Sequence, residues 1–385
     1  MGMEIDRRVR RPLCLVLVAA AVCLLAPSMA SASTLTGGAN PKLTAGAGEL
    51  NQIVLSRSGS NVVITDTAGI TLASAPECTP NTANQVSCND TTGNWQFLVV
   101  DLKDLNDQLT VQTMQATFGA VSADGGSGDD RLDFTGLGGL DHIGVATGGL
   151  ATVSAWGGAG NDTLIGSQGG NVFDGSNRSD VSPDPNYDAG DDTLTGGPVA
   201  DRLVGGQGVD SLEGGDGPDE IFGLVVNNQK GTVTEDGAAD TLFCGPGAVN
   251  PDSGLADVVQ AGVGDAVGTD CEAVFQQVVC PPTGALCDGI PQVTTTAPAA
   301  SGSAAATARK KRRQVVLGRS RDGRIKVRSG GSRQVYIPLR KKSVSRALGK
   351  RSRMTVTFSQ NFDRIKKGRK VGEANKRTRF KIRRR

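Results

Sequence analysis

Four aspartates, Asp192, Asp201, Asp210 and Asp219, stand nine residues apart, and each is followed two positions later by an aliphatic residue, Leu194, Leu203, Leu212 or Ile221. Asp130, Asp162 and Asp240 repeat the same Asp-x-Leu arrangement outside this run. Carboxylate oxygens recurring at a fixed step, among glycines small enough to let main-chain carbonyls crowd together, are hard donors of the kind calcium gathers in its large, flexible shell. Magnesium demands a tighter octahedron and keeps its waters, so it fits less well. A single histidine, His142, and the lack of any C-x-x-C pair leave little from which to build a zinc site.

The aspartates belong to a nonapeptide. GGPVADRLV (196–204), GGQGVDSLE (205–213) and GGDGPDEIF (214–222) run without a gap, and YDAGDDTLT (187–195) precedes them in frame without the opening glycines. GGSGDDRLD (125–133) and GGAGNDTLI (157–165) lie upstream, and EDGAADTLF (235–243) downstream. Gly196, Gly205, Gly206, Gly208, Gly214, Gly215 and Gly217 let the first six residues of a unit turn tightly and bring carbonyls inward. The last three form a short strand whose apolar residue points between two facing ladders. If two units make one coil, residues eighteen apart stack, which sets Asp192 over Asp210, Asp201 over Asp219, and Asp162 over Asp180 of GSNRSDVSP (175–183). GSQGGNVFD (166–174) carries Asn171 where the others carry aspartate, so a site that uses it is expected to be weak. DLKDLNDQLTV (101–111) reads as a more decayed copy.

These units resemble the RTX, or haemolysin-type, calcium-binding nonapeptide repeats of secreted actinobacterial proteins. The resemblance implies a parallel β-roll with calcium between successive turns, held by Asp130, Asp162, Asp180, Asp192, Asp201, Asp210, Asp219 and Asp240 with the carbonyls of the glycine turns. It also implies that a cysteine pair in ADTLFCGPG and TDCEAV, Cys244 with Cys271, closes the last turn as a cap. Carboxylates stacked within a few ångströms of one another repel unless a cation neutralises them, so metal binding and folding are expected to be coupled.

The rest of the chain supplies the setting. Arg7, Arg8, Arg10 and Arg11 precede the apolar run LCLVLVAAAVCLLA (13–26) and the small-residue site Ala30-Ser31-Ala32, the order of a Sec-type signal peptide over 1–32. The run is short for a membrane span, so an extracellular chain with no transmembrane segment after cleavage is expected. Six cysteines then follow, and proximity suggests Cys78 with Cys88, Cys244 with Cys271 and Cys280 with Cys287, although six cysteines allow fifteen pairings. The stretch between Cys78 and Cys88 is rich in Thr, Pro and Asn, so a bridge there is expected to close a surface loop.

Charge divides the chain in two. Residues 33–308 hold 7 Lys and Arg against 34 Asp and Glu, whereas 309–385 hold 30 Lys and Arg against Asp322, Asp363 and Glu373. The tail could therefore fold back on the acidic body, or bind anionic cell-surface polymers. With few aromatics to stack bases, it is not expected to bind nucleic acid.

The expected architecture is all-β: a parallel β-roll or β-solenoid of repeats (121–275) between a β-rich N-terminal region (33–120) and, after a Pro/Thr/Ala-rich linker (276–308), a small basic β module (309–385). LNQIVLS (50–56), NVVITD (61–66), WQFLVVD (95–101), RIKVR (324–328), RQVYIPL (333–339), MTVTF (354–358) and RFKI (379–382) read as strands, and KSVSRALG (342–349) as a short helix. No G-x-S-x-G elbow or H-E-x-x-H helix is present, and no catalytic role is expected. The expected function is calcium binding by a roll that folds on the ion and serves as a surface or structural scaffold. A secreted hydrolase carrying such repeats is the alternative.

Overall fold

A computed structural model describes residues 32–89, 97–112, 114, 120–138, 153–176, 190–223, 225–227, 232–234, 238–245, 257–289, 291–296, 314–330 and 332–384. The expected signal peptide, Asp180, His142 and the RKKRR run (309–313) lie outside the described residues. The structure is built almost entirely from strands, with one helix, Lys341–Leu348, among the described residues.

Glycine turns separated by three or four extended residues cannot make long strands, so the chain coils, laying one short strand on each of two facing sheets per coil. On the first sheet, Phe97–Asp101, Ala120–Ser127, Val153–Ala159, Asn171–Asp174, Arg202–Val204, Glu220–Phe222, Val258–Gln260 and Ala273–Val279 pair in parallel, each with the next. On the second, Gln108–Val111, Arg131–Asp133, Thr163–Ile165, Thr193–Thr195, Ser211–Glu213, Thr241–Phe243 and Ala266–Gly268 do the same. The parallel β-roll expected from the repeats is thus the fold.

Register places one inward residue per coil in each of two columns. Leu203, Ile221, Val259 and Val274 align on one sheet, and Leu132, Leu164, Leu194, Leu212, Leu242 and Val267 on the other. All are fully buried. Burying such a side chain contributes about 1.5–3 kcal/mol, so a core one residue deep grows with every coil added. Phe134 and Phe173 are buried in the same core, their ring centres 6.0 Å apart.

The flanking regions extend the same sheets. Lys42–Thr44 pairs in parallel with Phe97–Asp101, and Gln52–Ser58 with Gln108–Val111, so 33–120 forms the first coil and its antiparallel covering strands. Cys78 and Cys88 are bonded directly across the hairpin of Cys78–Thr82 and Gln85–Asn89. Both cysteines are buried against the core while residues 79–84 between them are exposed, so the bridge pins a surface hairpin to the core.

At the other end, Ser332–Pro338 pairs antiparallel with Ala273–Val279, and Arg369–Arg383 pairs in parallel with Ala266–Gly268. Part of the expected linker is itself strand, Leu286–Gly289 and Gln292–Thr296, both paired with the long strand Arg353–Lys366. Strand pairing outweighed the Pro/Thr composition here because Val293 supplies a fully buried side chain. The described part of the basic segment docks on the end of the roll. Its contacts there include the Lys341–Glu272 ion pair at 2.7 Å and the Arg383 guanidinium over the Phe243 ring at 5.8 Å. Disulfides Cys244–Cys271 and Cys280–Cys287 tie down the same end.

Candidate metal centres

Asp130, Asp162, Asp192, Asp210 and Asp240 each stand one residue before a strand of the second sheet, so the turn entering that sheet stacks them in a column. All are buried. The column is a hydrogen-bonded ladder with a direction: Oδ1 of each carboxylate accepts the main-chain N–H of the column residue one coil nearer the N-terminus. The N–H of Asp130 donates to Asp162, that of Asp162 to Asp192, that of Asp192 to Asp210 and that of Asp210 to Asp240, at 2.8–3.0 Å. The opposite edge carries a second ladder, in which Asn171 donates to Asp201, Asp201 to Asp219, Asp219 to Asp257 and Asp257 to Glu272.

The eighteen-residue stacking of Asp192 with Asp210 and of Asp201 with Asp219 is present. Asp180 lies outside the described residues, and the rung that Asp162 is bonded to is Asp192, thirty residues on. This coil is twelve residues longer than the regular one, and strand register follows the Leu164–Leu194 pairing of core residues, not the spacing.

The first ladder also runs beyond the aspartates singled out from sequence. Asp107 accepts from Asn51 and donates to Asp130, and Asp240 donates to Asp265. Asp107, Asp257 and Asp265 precede the short apolar strands of QLTV, VVQ and AVG. An Asp just before a β-rich triplet was the available signal, obscured because their units have lost the glycine pair.

With Oδ1 engaged along each ladder, the other oxygen decides the chemistry. Oδ2 of Asp107, Asp130, Asp219 and Asp257 is buried with no hydrogen-bond donor. An unsatisfied buried carboxylate oxygen is costly unless a cation or proton meets it. Oδ2 of Asp130 and of Asp219 faces the first glycine of its own turn, where the next coil also presents a main-chain carbonyl. A Cβ on Gly125 would strike both Asp130 Oδ2 and Gly157 O, and one on Gly214 both Asp219 Oδ2 and Cys244 O. Gly196 and Gly205 lie in the same way against Asp201 and Asp210. Gly206, Gly208, Gly215 and Gly217 take φ between 100° and 122°, the backbone that lets these turns close. Among the described residues no three Asp, Glu, His or Cys side chains converge on one point. The arrangement instead alternates single carboxylates with carbonyls, an all-oxygen donor set that suits calcium.

Asn171 marks the exception. Its Nδ2 lies against Gly166, in the position taken by Oδ2 in other turns, and donates to Asp201 Oδ1 at 2.8 Å. Asp201 Oδ2 in turn accepts from the Gly197 N–H. Hydrogen bonds thus satisfy this rung where its neighbours present bare oxygen.

Electrostatics agree with the geometry. Burial, then repulsion from Asp162, Asp107 and Asp129, pushes the Asp130 carboxyl up to about 8. Burial, then Asp201 and Asp257, pushes Asp219 up to about 9. Asp107 and Asp257 are raised to about 7 by burial, with further repulsion from Asp66 and Glu272 respectively. Burial alone raises Asp201 to about 7, against the hydrogen bonds from Gly197 and Asn171.

Two parallel sheets joined by glycine turns, with a carboxylate ladder on each edge, define a calcium-binding β-roll. The family model of the RTX calcium-binding nonapeptide repeat matches in four copies, over residues 112–136, 154–180 and 187–221, so the centre of the chain is an RTX array. No curated protein and no solved structure matches the chain. Calcium is the ion these repeats bind.

Proposed function

We propose that the chain is an extracellular scaffold whose β-roll folds on calcium, with Asp130, Asp162, Asp192, Asp210, Asp219, Asp240 and Asp257 and the glycine-turn carbonyls as its ligands. The observation that carries this reading is the set of buried, donor-free oxygens on Asp130, Asp219 and Asp257. Without metal these carboxylates oppose folding; with it they bind adjacent coils together. Three disulfides, and the leader expected over 1–32, support an oxidising, calcium-rich exterior.

The docked basic segment gives the scaffold a face. Lys366, Lys367, Arg369, Lys376, Arg377 and Arg379 are exposed on the hairpin of Arg353–Lys366 and Arg369–Arg383, a density of cations suited to anionic surface polymers. A non-catalytic role is supported by the carboxylates themselves, which are engaged as rungs within the roll. Circular dichroism of the mature chain in EGTA and then in millimolar calcium tests the reading: β structure and the thermal midpoint should both rise with calcium, and an unchanged spectrum and midpoint overturn it. Retention on anionic wall polymer, compared with a variant carrying Glu at Lys366, Lys367, Arg369, Lys376 and Arg377, tests the face.

A further inference from the structure

At the N-terminal end of the roll lies a group of polar residues that belongs to no matched repeat. Glu49, Asn51, Asp66 and Asp107 are all at most 2 % exposed, packed where the first coil meets its covering hairpin. Among the described residues no lysine or arginine pairs with any of the three acids.

Hydrogen bonds orient the group. Asn51 donates its Nδ2 hydrogens to Asp66 Oδ2 at 2.8 Å and Ser33 Oγ at 3.1 Å, and its main-chain N–H to Asp107 Oδ1 at 2.7 Å. The Asn51 donors being committed, its Oδ1 is left buried with no donor. Asp107 Oδ2 is in the same state. Both carboxylate oxygens of Glu49 are likewise buried without a partner; burial raises its carboxyl, and the nearby Gly46 N–H and Asn51 amide ease its charge. Glu49 adds the last of the repulsions that, with burial, raise the Asp107 carboxyl.

Four buried oxygens from three neighbouring residues, with no donor among them, require positive charge. One proton on Glu49 could supply a single hydrogen bond and would leave the other acceptors unmet. A divalent ion can take several such oxygens into one shell.

We propose that Glu49, Asn51 and Asp107 bind a calcium ion at the N-terminal end of the roll, with Asp66 and Ser33 holding the Asn51 amide so that its oxygen faces the ion. All the donors are hard oxygens, and both Glu49 oxygens are available together, which suits the larger ion over magnesium. The site requires no glycine turn and stands apart from the repeat signature. Through Asp107 it shares a rung with the array, so an ion here closes the ladder at the end opposite the disulfide cap.

The test is the calcium stoichiometry of the full mature chain, by equilibrium dialysis, for wild type, Glu49→Gln and Asp210→Asn. Glu49→Gln should bind one ion fewer than wild type while keeping its calcium-dependent circular dichroism; an unchanged stoichiometry overturns the proposal. Asp210→Asn reports on the array. If wild type binds a single ion that only Glu49→Gln loses, the terminal site stands and the array reading falls. Should Glu49→Gln fail to fold, a crystal structure of wild type grown in calcium decides. An ion bonded to Glu49, Asn51 and Asp107 is expected, and direct contact between the Glu49 and Asp107 carboxyls with no ion refutes it.

Discussion

Asn171 reaches Asp201 Oδ1 twice, through its main-chain N–H at 2.7 Å and its side-chain Nδ2 at 2.8 Å, whereas every other rung of that edge is joined by a main-chain N–H alone. The second bond places a donor where the roll otherwise presents a ligand oxygen. Asn171→Asp should therefore create a calcium site: one additional ion by equilibrium dialysis, and a higher thermal midpoint in saturating calcium. In EGTA the same variant should unfold at lower temperature than wild type, because the new carboxylate joins the ladder unneutralised. Equal midpoints in both conditions would refute the assignment of Oδ2 as ligand.

The raised carboxyls fix the sign of the pH response. Asp107, Asp130, Asp219 and Asp257, with ordinary values near 3.8, titrate at about 7 to 9 in the fold. The folded metal-free roll thus holds protons that the unfolded chain releases. That stability is fully present below about pH 4 and is lost as pH rises through 7 to 9. Thermal midpoints in EGTA should fall by several degrees between pH 5 and pH 9. Calcium competes with those protons, so its affinity should rise over the same window. An EGTA midpoint that rises with pH contradicts the burial of these groups.

Gly208 sits at φ +122°, and a Cβ there would strike the Gly190 carbonyl of the preceding coil. Gly208→Ala should destabilise the calcium-loaded roll by at least about 1–3 kcal/mol from backbone strain alone, with the clash in addition. Gly323, at φ +66° in open space, is the control: alanine there pays no clash and should cost less by urea denaturation.

Cys244–Cys271 closes a segment of 27 residues at the junction of the roll with the basic end. Replacing both cysteines with serine should cost about 3–4 kcal/mol on loop-closure grounds. Hydrogen exchange should show the loss concentrated in Thr241–Phe243, Ala266–Gly268 and the docked Arg369–Arg383. Uniform loss of protection would mean that the bridge does not act as a local cap.

The repeats made the roll and most of one ladder legible in sequence, because a nine-residue step places turn, ligand and core residue together. Legibility ended where the determinants stopped being local. Val267 pairs with Ile382 across more than a hundred residues, and nothing in either segment announces the other. Spacing alone does not announce that Asp162 bonds to Asp192 thirty residues on, which follows from the core pairing of Leu164 with Leu194. Glu49 carries no periodic mark; its place became visible only with its burial and its missing donors.

The rungs of the first ladder are not evenly spaced along the chain. Asp192 and Asp210 are 18 residues apart, Asp162 and Asp192 are 30, and Asp130 and Asp162 are 32, yet the hydrogen bond between them is the same. The column counts coils and ignores contour length. A roll so constructed is a rail that accepts inserted chain between rungs without losing its gauge, and new surface can be grafted there at no cost to the ion-binding edge.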